Sequence, residues 1–248
     1  MKKLKLLVYY PLAFVRLILV LIGTAVVAFS GWVWLQFFGF SRRLQNWVLH
    51  TWGTLIVLVC GIKIHQNPLP ADDNFILMPN HRSYLDIFIF SSLVPASFVG
   101  KAELRKWPFG KVAVKITNLI LVDRNNIRSL IKTMDEIRHS VSQGIPVTIF
   151  PEGTTFKGPL TKNFKTGSFK IASETGIPVI PAAIDYQDEN DAWVGNDTFI
   201  PHFFRQMGKP QTHVNIRFGD AIKNPDHEML RDETKEQIDR MLLKIRNT

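Results

Sequence analysis

The residues best suited to chemistry in this chain are a histidine and an aspartate five positions apart, His81 and Asp86. A neutral imidazole can take a proton from an alcohol, and a carboxylate on its other nitrogen fixes the tautomer and stabilises the imidazolium. Helical residues five apart do not share a face, so we expect His81 on the turn before a helix and Asp86 in its first turns. Taken alone, the pair also fits a structural histidine beside a helix-capping carboxylate.

The flanking segments support a strand-to-helix corner, where α/β proteins place reactive groups. Phe75–Met78 reads as a buried strand, and Tyr84–Phe90 reads as the apolar start of a helix. A second cluster, Phe150 to Thr155, follows another apolar strand. There Gly153 would let backbone N–H groups approach an anion, and the threonines add hydroxyl donors. An ordinary strand-ending turn is the alternative for this cluster.

Four blocks in this order, with these gaps, resemble the glycerolipid acyltransferase family, and the resemblance runs from about Phe75 to Tyr186. The matching blocks are Asn80 to Asp86; Phe98 to Lys101 and Trp107 to Gly110, through Val122 to Arg124; Phe150 to Thr154; and Val179 to Ala182. The resemblance implies transfer of a fatty acyl group from a thioester, on coenzyme A or acyl carrier protein, to the free 2-hydroxyl of a lysophospholipid. Its first-choice acceptor is 1-acylglycerol-3-phosphate, which would yield phosphatidic acid.

The implied reaction suits the residues, because an alcohol near neutral pH is a poor nucleophile. His81 as general base and Asp86 as its orienting partner address that barrier. Neither a cofactor nor a metal is required, since the lipid hydroxyl can attack the thioester directly. The seven histidines are scattered and Cys60 stands alone in an apolar run, so the sequence shows no metal-ligand cluster.

The resemblance also implies an acceptor site. Arg124 and the Glu152-Gly153-Thr154 loop would bind the glycerol phosphate, and Pro181 would shape the site wall. A guanidinium offers a planar fork to phosphate oxygens, although Arg124 could instead form a surface salt bridge. The looser candidates for substrate binding, which could equally be solvated surface lysines, are Lys101 and Lys165.

Thr155 departs from the family pattern, because the phosphatidate-forming members usually carry arginine directly after Glu-Gly-Thr. A charge-assisted hydrogen bond is commonly worth about 1.5–3 kcal/mol. With threonine in place of arginine, such a hydrogen bond to the phosphate is lost. The acceptor could therefore instead be lysophosphatidylcholine or lysophosphatidylethanolamine, whose phosphate carries one negative charge. Against that alternative, Lys157, Lys162 and Lys165 follow closely and could supply the missing charge. Thr155 itself stays a substrate-binding candidate.

The amino terminus indicates contact with lipid. Leu17 to Ser41 contains 25 residues without a charge, and about 20 apolar residues span a bilayer core. A second uncharged run, Leu44 to Ile62, is more polar. The two runs could be a pair of spanning helices or a helical hairpin dipping into one leaflet. The family resemblance implies a membrane-embedded helical pair with the catalytic domain on the cytoplasmic face of the inner membrane.

Net charge and cysteine content narrow the class of partner. A net charge of +9 favours contact with anionic headgroups and anionic substrates. Nucleic acid is excluded as a partner on the absence of any recognised binding motif. A single cysteine rules out an intramolecular disulfide.

We expect residues 1–65 to anchor the protein and residues 66–248 to form the acyltransferase domain.

Strands alternating with helices predict an α/β fold: a mixed, mostly buried sheet flanked by helices. Apolar residues at helical spacing predict core-facing helices over Ile127 to Val141 and Met229 to Ile245. The predicted strands are Phe75–Met78, Ser97–Val99, Ile120–Val122, Val147–Phe150, Val179–Ile184 and His213–Phe218.

Two functions of other classes stay open at this point. A thioesterase or lysophospholipase would use His81 to activate water, and would consume thioester or lipid without making an acylated product. A noncatalytic membrane scaffold would keep the fold and anchor, and would tolerate replacement of His81 by alanine.

Overall fold

The computed structural model describes residues 2–107, 110–123, 125–195 and 197–247. Two short 3₁₀ helices span Ala102–Lys106 and Glu189–Asp191. The α-helices are α1 (Lys2–Phe38), α2 (Arg42–Val59), α3 (Leu85–Leu93), α4 (Gly110–Thr117), α5 (Ile127–Ser142), α6 (Gly167–Thr175), α7 (Phe199–Met207) and α8 (His227–Arg246). The strands are β1 (Ile62–Gln66), β2 (Ile76–Pro79), β3 (Ser97–Lys101), β4 (Ile120–Val122), β5 (Val147–Thr148), β6 (Val179–Tyr186) and β7 (Thr212–Phe218).

The strands form one mixed sheet in the order β1-β7-β6-β2-β5-β3-β4. From β6 to β4 neighbouring strands are parallel, whereas β7 is antiparallel to β6 and β1 pairs with β7. Because β2 and β5 are parallel neighbours, the segments that follow them emerge at the same edge of the sheet. That edge, the carboxyl edge, receives both the histidine block and the Glu-Gly-Thr loop.

Helices cover both faces of the sheet, and successive residues of each central strand feed opposite cores. On one face Leu77 and Ile180 pack with α2 and α3. On the other face Met78 and Val179 pack with α5, α6 and α8. The predicted α/β fold with a mixed sheet flanked by helices is therefore confirmed.

All six predicted strands are present, most with ends shifted by one or two residues. β5 is shorter than predicted, since it stops at Thr148. β1 was not predicted. Its five residues pair with β7, beginning with Ile62 opposite Thr212. A partner about 150 residues away in the chain cannot be inferred from the local sequence.

The helix predicted over residues 127–141 is confirmed, and its start is set by a side-chain cap. Asn126 accepts hydrogen bonds from the backbone N–H groups of Arg128 and Ser129. The expectation that its whole apolar stripe faces the core is wrong for the first turns. Ile137 and Val141 are buried, but the apolar side chains at 127, 130 and 131 are exposed.

The amino terminus forms two helices, as predicted. The segment Tyr9–Phe38 of α1 is long and apolar enough to cross a membrane by length and composition. It is the one such helix in the described part of the chain. One side of α1 packs on the protein, with Ala13 and Val27 buried, while large apolar side chains such as Phe14 and Ile22 are exposed. α2 instead packs closely on α3, where a Cβ on Gly53 would lie 2.5 Å from the backbone nitrogen of Ser92.

Arg16 connects α1 to the segment between α7 and β7. Its buried guanidinium donates hydrogen bonds to the carbonyl oxygens of Met207 (2.9 Å) and Pro210 (3.0 Å), and also to that of Lys209. These carbonyls lie at and beyond the end of α7, where a helix leaves acceptors unpaired and favours a cation. The contact fixes how α1 lies on the rest of the fold.

Candidate active site

The turn after β2 is held by the side chain of Asn80, which is fully buried. Its Nδ2 donates to the carbonyl oxygen of Ile184 (3.0 Å), and its Oδ1 accepts from the N–H of the same residue (2.8 Å). An amide that pairs with both backbone groups of one residue leaves little freedom to the turn. The corner that carries His81 is thereby fixed against β6.

His81 and Asp86 meet as the sequence predicts, with His81 on the turn and Asp86 in the first turn of α3. Nδ1 of His81 lies 2.7 Å from Oδ2 of Asp86. The imidazole also stacks on the ring of Phe150, with centroids 3.9 Å apart and planes inclined by 21°. The histidine ring is therefore held by a hydrogen bond at one nitrogen and by an aromatic face.

The carboxylate of Asp86 is fully buried and receives four hydrogen bonds. Oδ2 accepts from Nδ1 of His81 and from the backbone N–H groups of Arg82 (2.7 Å) and Ser83 (2.9 Å). Oδ1 accepts from the hydroxyl of Tyr186 at 2.6 Å. Since Oδ2 is an acceptor for three donors, Nδ1 of His81 carries the proton. Nε2 is thus the basic nitrogen that can face a substrate.

Tyr186 is a buried donor to this carboxylate. Burial raises the pKa of Tyr186 well above its ordinary value, and the negative charge of Asp86 raises that pKa further. The phenol therefore stays protonated and keeps donating. The tyrosine, which the sequence prediction did not include among the site residues, is the last residue of β6.

Glu152 ties the Glu-Gly-Thr loop to the histidine. Its Oε1 accepts from the backbone N–H of His81 (2.9 Å), and its Oε2 accepts from the N–H of Lys162 (3.1 Å). Burial raises the pKa of Glu152, and these two hydrogen bonds oppose that effect. The carbonyl oxygen of His81 accepts from the N–H of Phe156 (2.9 Å). Both backbone groups of His81 are therefore bonded to the loop.

Gly153 and Lys165 lie against each other in this loop. Gly153 has φ +67°, and a Cβ added there would lie 3.0 Å from Cε of Lys165 and 3.3 Å from its Nζ. Glycine thus serves both the left-handed backbone conformation and the close approach of the lysine. Thr154 is exposed and Thr155 is half-buried in the same loop.

The other predicted site residues that the structure describes do not contact the histidine pair in the same way. Lys101 is exposed and ends β3, the strand beside β5. Arg124 lies outside the described residues, two positions after β4 ends at Val122. Pro181 is buried inside β6, paired with Met78. The structure thus brings His81, Asp86 and the loop from Glu152 together in direct contact, whereas Pro181 belongs to the interior of the sheet.

Arg82 is a second residue that the sequence prediction missed. Its guanidinium is buried, donates to the carbonyl oxygen of Phe156 (2.8 Å) and lies 3.3 Å from Oδ1 of Asp185. Asp185 is also paired with Arg246 of α8, at 2.6 Å. The position of Arg82 between His81 and Asp86 was the signal that could have identified it. A charged side chain in this turn must either reach solvent or have a buried partner.

No group of three or more histidine, cysteine, aspartate or glutamate side chains is placed to hold a metal ion within the described ranges. What the arrangement offers is an oriented imidazole with a free basic nitrogen at the carboxyl edge. Such a group can take a proton from a hydroxyl and return it to a leaving group.

Comparisons with known proteins agree with this chemistry. The sequence profile of the Acyltransferase family matches residues 61–185. A lyso-ornithine lipid O-acyltransferase of Rhizobium meliloti is 26% identical, covering 74% of this chain and 69% of that protein. The 1-acyl-sn-glycerol-3-phosphate acyltransferase of Escherichia coli is 31% identical, covering 68% and 71%.

A solved structure shares the complete fold. The crystal structure of the 1-acyl-sn-glycerophosphate (LPA) acyltransferase from Thermotoga maritima superposes with a TM-score of 0.75 at 21% identity, covering 100% of this chain and 99% of that one. Because the family profile spans half of the sequence and includes the histidine turn and the Glu-Gly-Thr loop, the chain belongs to the Acyltransferase family.

Proposed function

We propose that this protein transfers a fatty acyl group from an acyl thioester to the free sn-2 hydroxyl of 1-acylglycerol-3-phosphate, giving phosphatidic acid. An acyl donor and a lipid acceptor are implied by the family. We propose a thioester of coenzyme A or acyl carrier protein as the donor. The observation that carries the proposal is the His81–Asp86 pair, whose geometry leaves Nε2 of a correctly protonated imidazole available. His81 acts as general base and Asp86 as the group that orients it.

The reaction needs no covalent enzyme intermediate. Nε2 of His81 takes the proton of the acceptor hydroxyl as its oxygen attacks the thioester carbonyl carbon. The tetrahedral intermediate collapses with formation of the ester and cleavage of the C–S bond. The departing sulfur receives the proton from the imidazolium, and Asp86 stabilises that cation while it exists.

Lys165 supports a phosphate-bearing acceptor despite Thr155. Among the three lysines that could replace the usual arginine, Lys157 lies 3.6 Å from a carboxylate oxygen of Glu189. Lys162 lies over the ring of Phe156, 5.1 Å from its centroid. Lys165 instead runs across Gly153, inside the loop itself. We therefore assign Lys165 the charge that Thr155 lacks. Lys101, at the carboxyl edge, is a further cation for the acceptor, and Arg124 stays the candidate that the family resemblance implies.

A lyso-ornithine lipid is the second candidate acceptor. It is favoured by Thr155 and by the name of the Rhizobium meliloti relative, since ornithine carries no phosphate and would not need a second cation in the loop. Zwitterionic lysophospholipids are also favoured by Thr155, because their phosphate carries only one negative charge. Lysophosphatidate brings a phosphate monoester to the loop, the two zwitterionic lysophospholipids bring a phosphodiester and the lyso-ornithine lipid brings no phosphate, so a single series of assays separates these three classes.

The packing of α1 supports a position along one leaflet of the cytoplasmic face. α1 lies against α2, α4 and α7 over much of its length, so a perpendicular span would draw those helices into the bilayer as well. We propose that residues 1–65 anchor the protein and residues 66–248 carry the reaction. In this division the boundary falls inside β1, so the anchoring segment also contributes residues 62–65 to the sheet.

The test is an acyl-transfer assay on the full chain in vesicles, with labelled acyl-coenzyme A or acyl carrier protein as donor. The acceptors are lysophosphatidate, lysophosphatidylcholine, lysophosphatidylethanolamine and a lyso-ornithine lipid, with His81→Ala in parallel. We expect product mainly from lysophosphatidate and none from the variant. Thioester loss without acylated lipid would establish a hydrolase instead, and undiminished transfer by His81→Ala would refute the assigned base.

The acceptor assignment has its own matched pair of variants. Lys165→Met should lower kcat/KM for lysophosphatidate about 10- to 150-fold, the loss of one charge-assisted hydrogen bond of about 1.5–3 kcal/mol. Lys162→Met removes an equally exposed lysine three positions away and should change it less than about threefold. Equal effects of the two substitutions would contradict the role given to Lys165.

A further inference from the structure

The positive charge of the chain is concentrated in one segment. Residues 101–132 contain eight lysines and arginines against two aspartates and glutamates, a net charge of +6. The whole chain carries +9. An eighth of the sequence therefore holds two thirds of the net charge, which indicates a partner of opposite sign at this place.

The same segment exposes large apolar side chains. Trp107 is 61% exposed, Ile127 75% and Ile131 56%. They alternate along the chain with exposed cations, Lys106, Arg128 and Lys132. These six residues, two of them before α4 and four in the first turns of α5, are together called the basic-apolar surface below.

Exposed cations combined with exposed large apolar side chains are not typical of a surface that contacts only water. Single exposed apolar residues are ordinary, but here they lie in the most basic part of the molecule. Ile137 and Val141, in the later turns of α5, are buried in the core. The apolar side chains of its first turns are exposed instead. Cations interleaved with tryptophan and isoleucine are typical of surfaces that lie in the interface of an anionic membrane.

The segment between the two parts of the basic-apolar surface contains α4, which packs on the lipid-facing helix α1. There a Cβ on Gly31 would lie 3.0 Å from Cδ1 of Ile116. A bilayer that covers the exposed side of α1 therefore passes close to α4. The segment also begins with Lys101, at the carboxyl edge that carries His81.

We infer that the basic-apolar surface is a second membrane contact, separate from α1, which binds anionic headgroups and inserts Trp107, Ile127 and Ile131 into the interface. It holds the carboxyl edge of the sheet against the membrane. An acidic protein could be drawn by the same charge. The membrane is favoured because an acidic protein partner would not account for the packing of α4, which lies between the two parts of this surface in sequence, on the apolar helix α1.

The inference is tested without any acyl transfer. Ile131→Cys in the full chain gives a position for an environment-sensitive fluorophore, and Met229→Cys on α8 gives a control, since both native side chains are 56% exposed. Cys60 does not compete for the label, because burial raises the pKa of its thiol to about 12. Quenching is measured with headgroup-nitroxide lipids in phosphatidylcholine vesicles, with and without phosphatidylglycerol.

We expect quenching at position 131 to exceed that at position 229 and to increase with phosphatidylglycerol. Since each basic residue near such a surface contributes about fivefold to binding, the triple reversal Lys106→Glu, Arg128→Glu and Lys132→Glu should remove the increase. A matched reversal of Lys63, Lys223 and Arg240 to glutamate should leave it unchanged. Each triple contains one helical i,i+4 ion-pair partner, Lys132 or Arg240.

Three results would overturn the inference. Equal quenching at the two positions would show that α1 alone meets the bilayer. An increase that survives the first triple would show that these cations do not bind headgroups. If the fluorescence of the probe at position 131 did not respond to anionic vesicles but changed on addition of acidic acyl carrier protein, the surface would be a protein-binding site instead. None of these results depends on which acyl acceptor the enzyme uses.

Discussion

Replacing Asp86 by asparagine removes the negative charge beside His81 and keeps the shape of the side chain. In hydrolase triads this exchange costs about 10⁴-fold in kcat, because the amide leaves the histidine in the wrong tautomer. Here the surroundings of Asp86 prevent that outcome. Oδ2 accepts from the backbone N–H groups of Arg82 and Ser83 as well as from the imidazole, so the amide NH₂ cannot occupy that position.

The NH₂ group must therefore point to Tyr186, whose hydroxyl can turn and accept from it. His81 keeps its proton on Nδ1, and only the charge is lost. A hydrogen bond to a charged group is worth about 1.5–3 kcal/mol, so we expect Asp86→Asn to lower kcat about 10- to 150-fold. His81→Ala should abolish activity in the same assay.

The assay is steady-state acyl transfer in vesicles, accompanied by thermal unfolding of each variant. The double variant Asp86→Asn, Tyr186→Phe leaves the amide NH₂ without its acceptor and should unfold at a lower temperature than Asp86→Asn alone. An Asp86→Asn enzyme as inactive as His81→Ala, with an unchanged melting temperature, would refute the tautomer argument.

Three further changes test the contacts around the site. Tyr186→Phe leaves Oδ1 of Asp86 without its donor and should lower the free energy of unfolding by about 1.5–3 kcal/mol, seen as a drop in melting temperature; no drop would contradict that contact. Burial raises the pKa of Glu152 above 4.5, so the native state favours its protonated form. The melting temperature of the wild type relative to Glu152→Gln should therefore fall as pH rises above that value, and a rise would contradict the direction of the shift. Arg16→Met removes hydrogen bonds to the carbonyls after α7 and should speed proteolysis between α7 and β7, whereas an unchanged cleavage rate would show that α1 is held by apolar contacts alone.

The corner that carries His81 and Asp86 could be predicted because it is local. A buried strand, a turn and an apolar helix occupy adjacent positions, and His81 and Asp86 fall on that turn and the helix start through backbone geometry alone. The strands of the parallel part of the sheet could be predicted equally well, since each is a short apolar run bounded by turn residues.

The partners of that corner could not be predicted, because they come from far along the chain. Tyr186 lies 100 residues beyond Asp86, and Asp185 meets Arg82 only because β6 pairs with β2. β1 was missed for the same reason, since its alternating five residues become a strand only beside β7. The exposed first turns of α5 escaped prediction for another reason: apolar spacing records which residues share a face, but not whether the protein or a lipid covers it.

The contact of Arg16 with α7 also dictates an order of events during synthesis. The arginine leaves the ribosome early, but the first carbonyl that accepts from it belongs to a residue 191 positions later. At about 5–20 residues per second, roughly 10–40 s separate the two. For that interval the part of α1 that packs on α7 has no protein surface to cover it. We therefore expect the bilayer to receive α1 before the sheet exists, so that the rest of the chain folds onto a helix already seated in lipid.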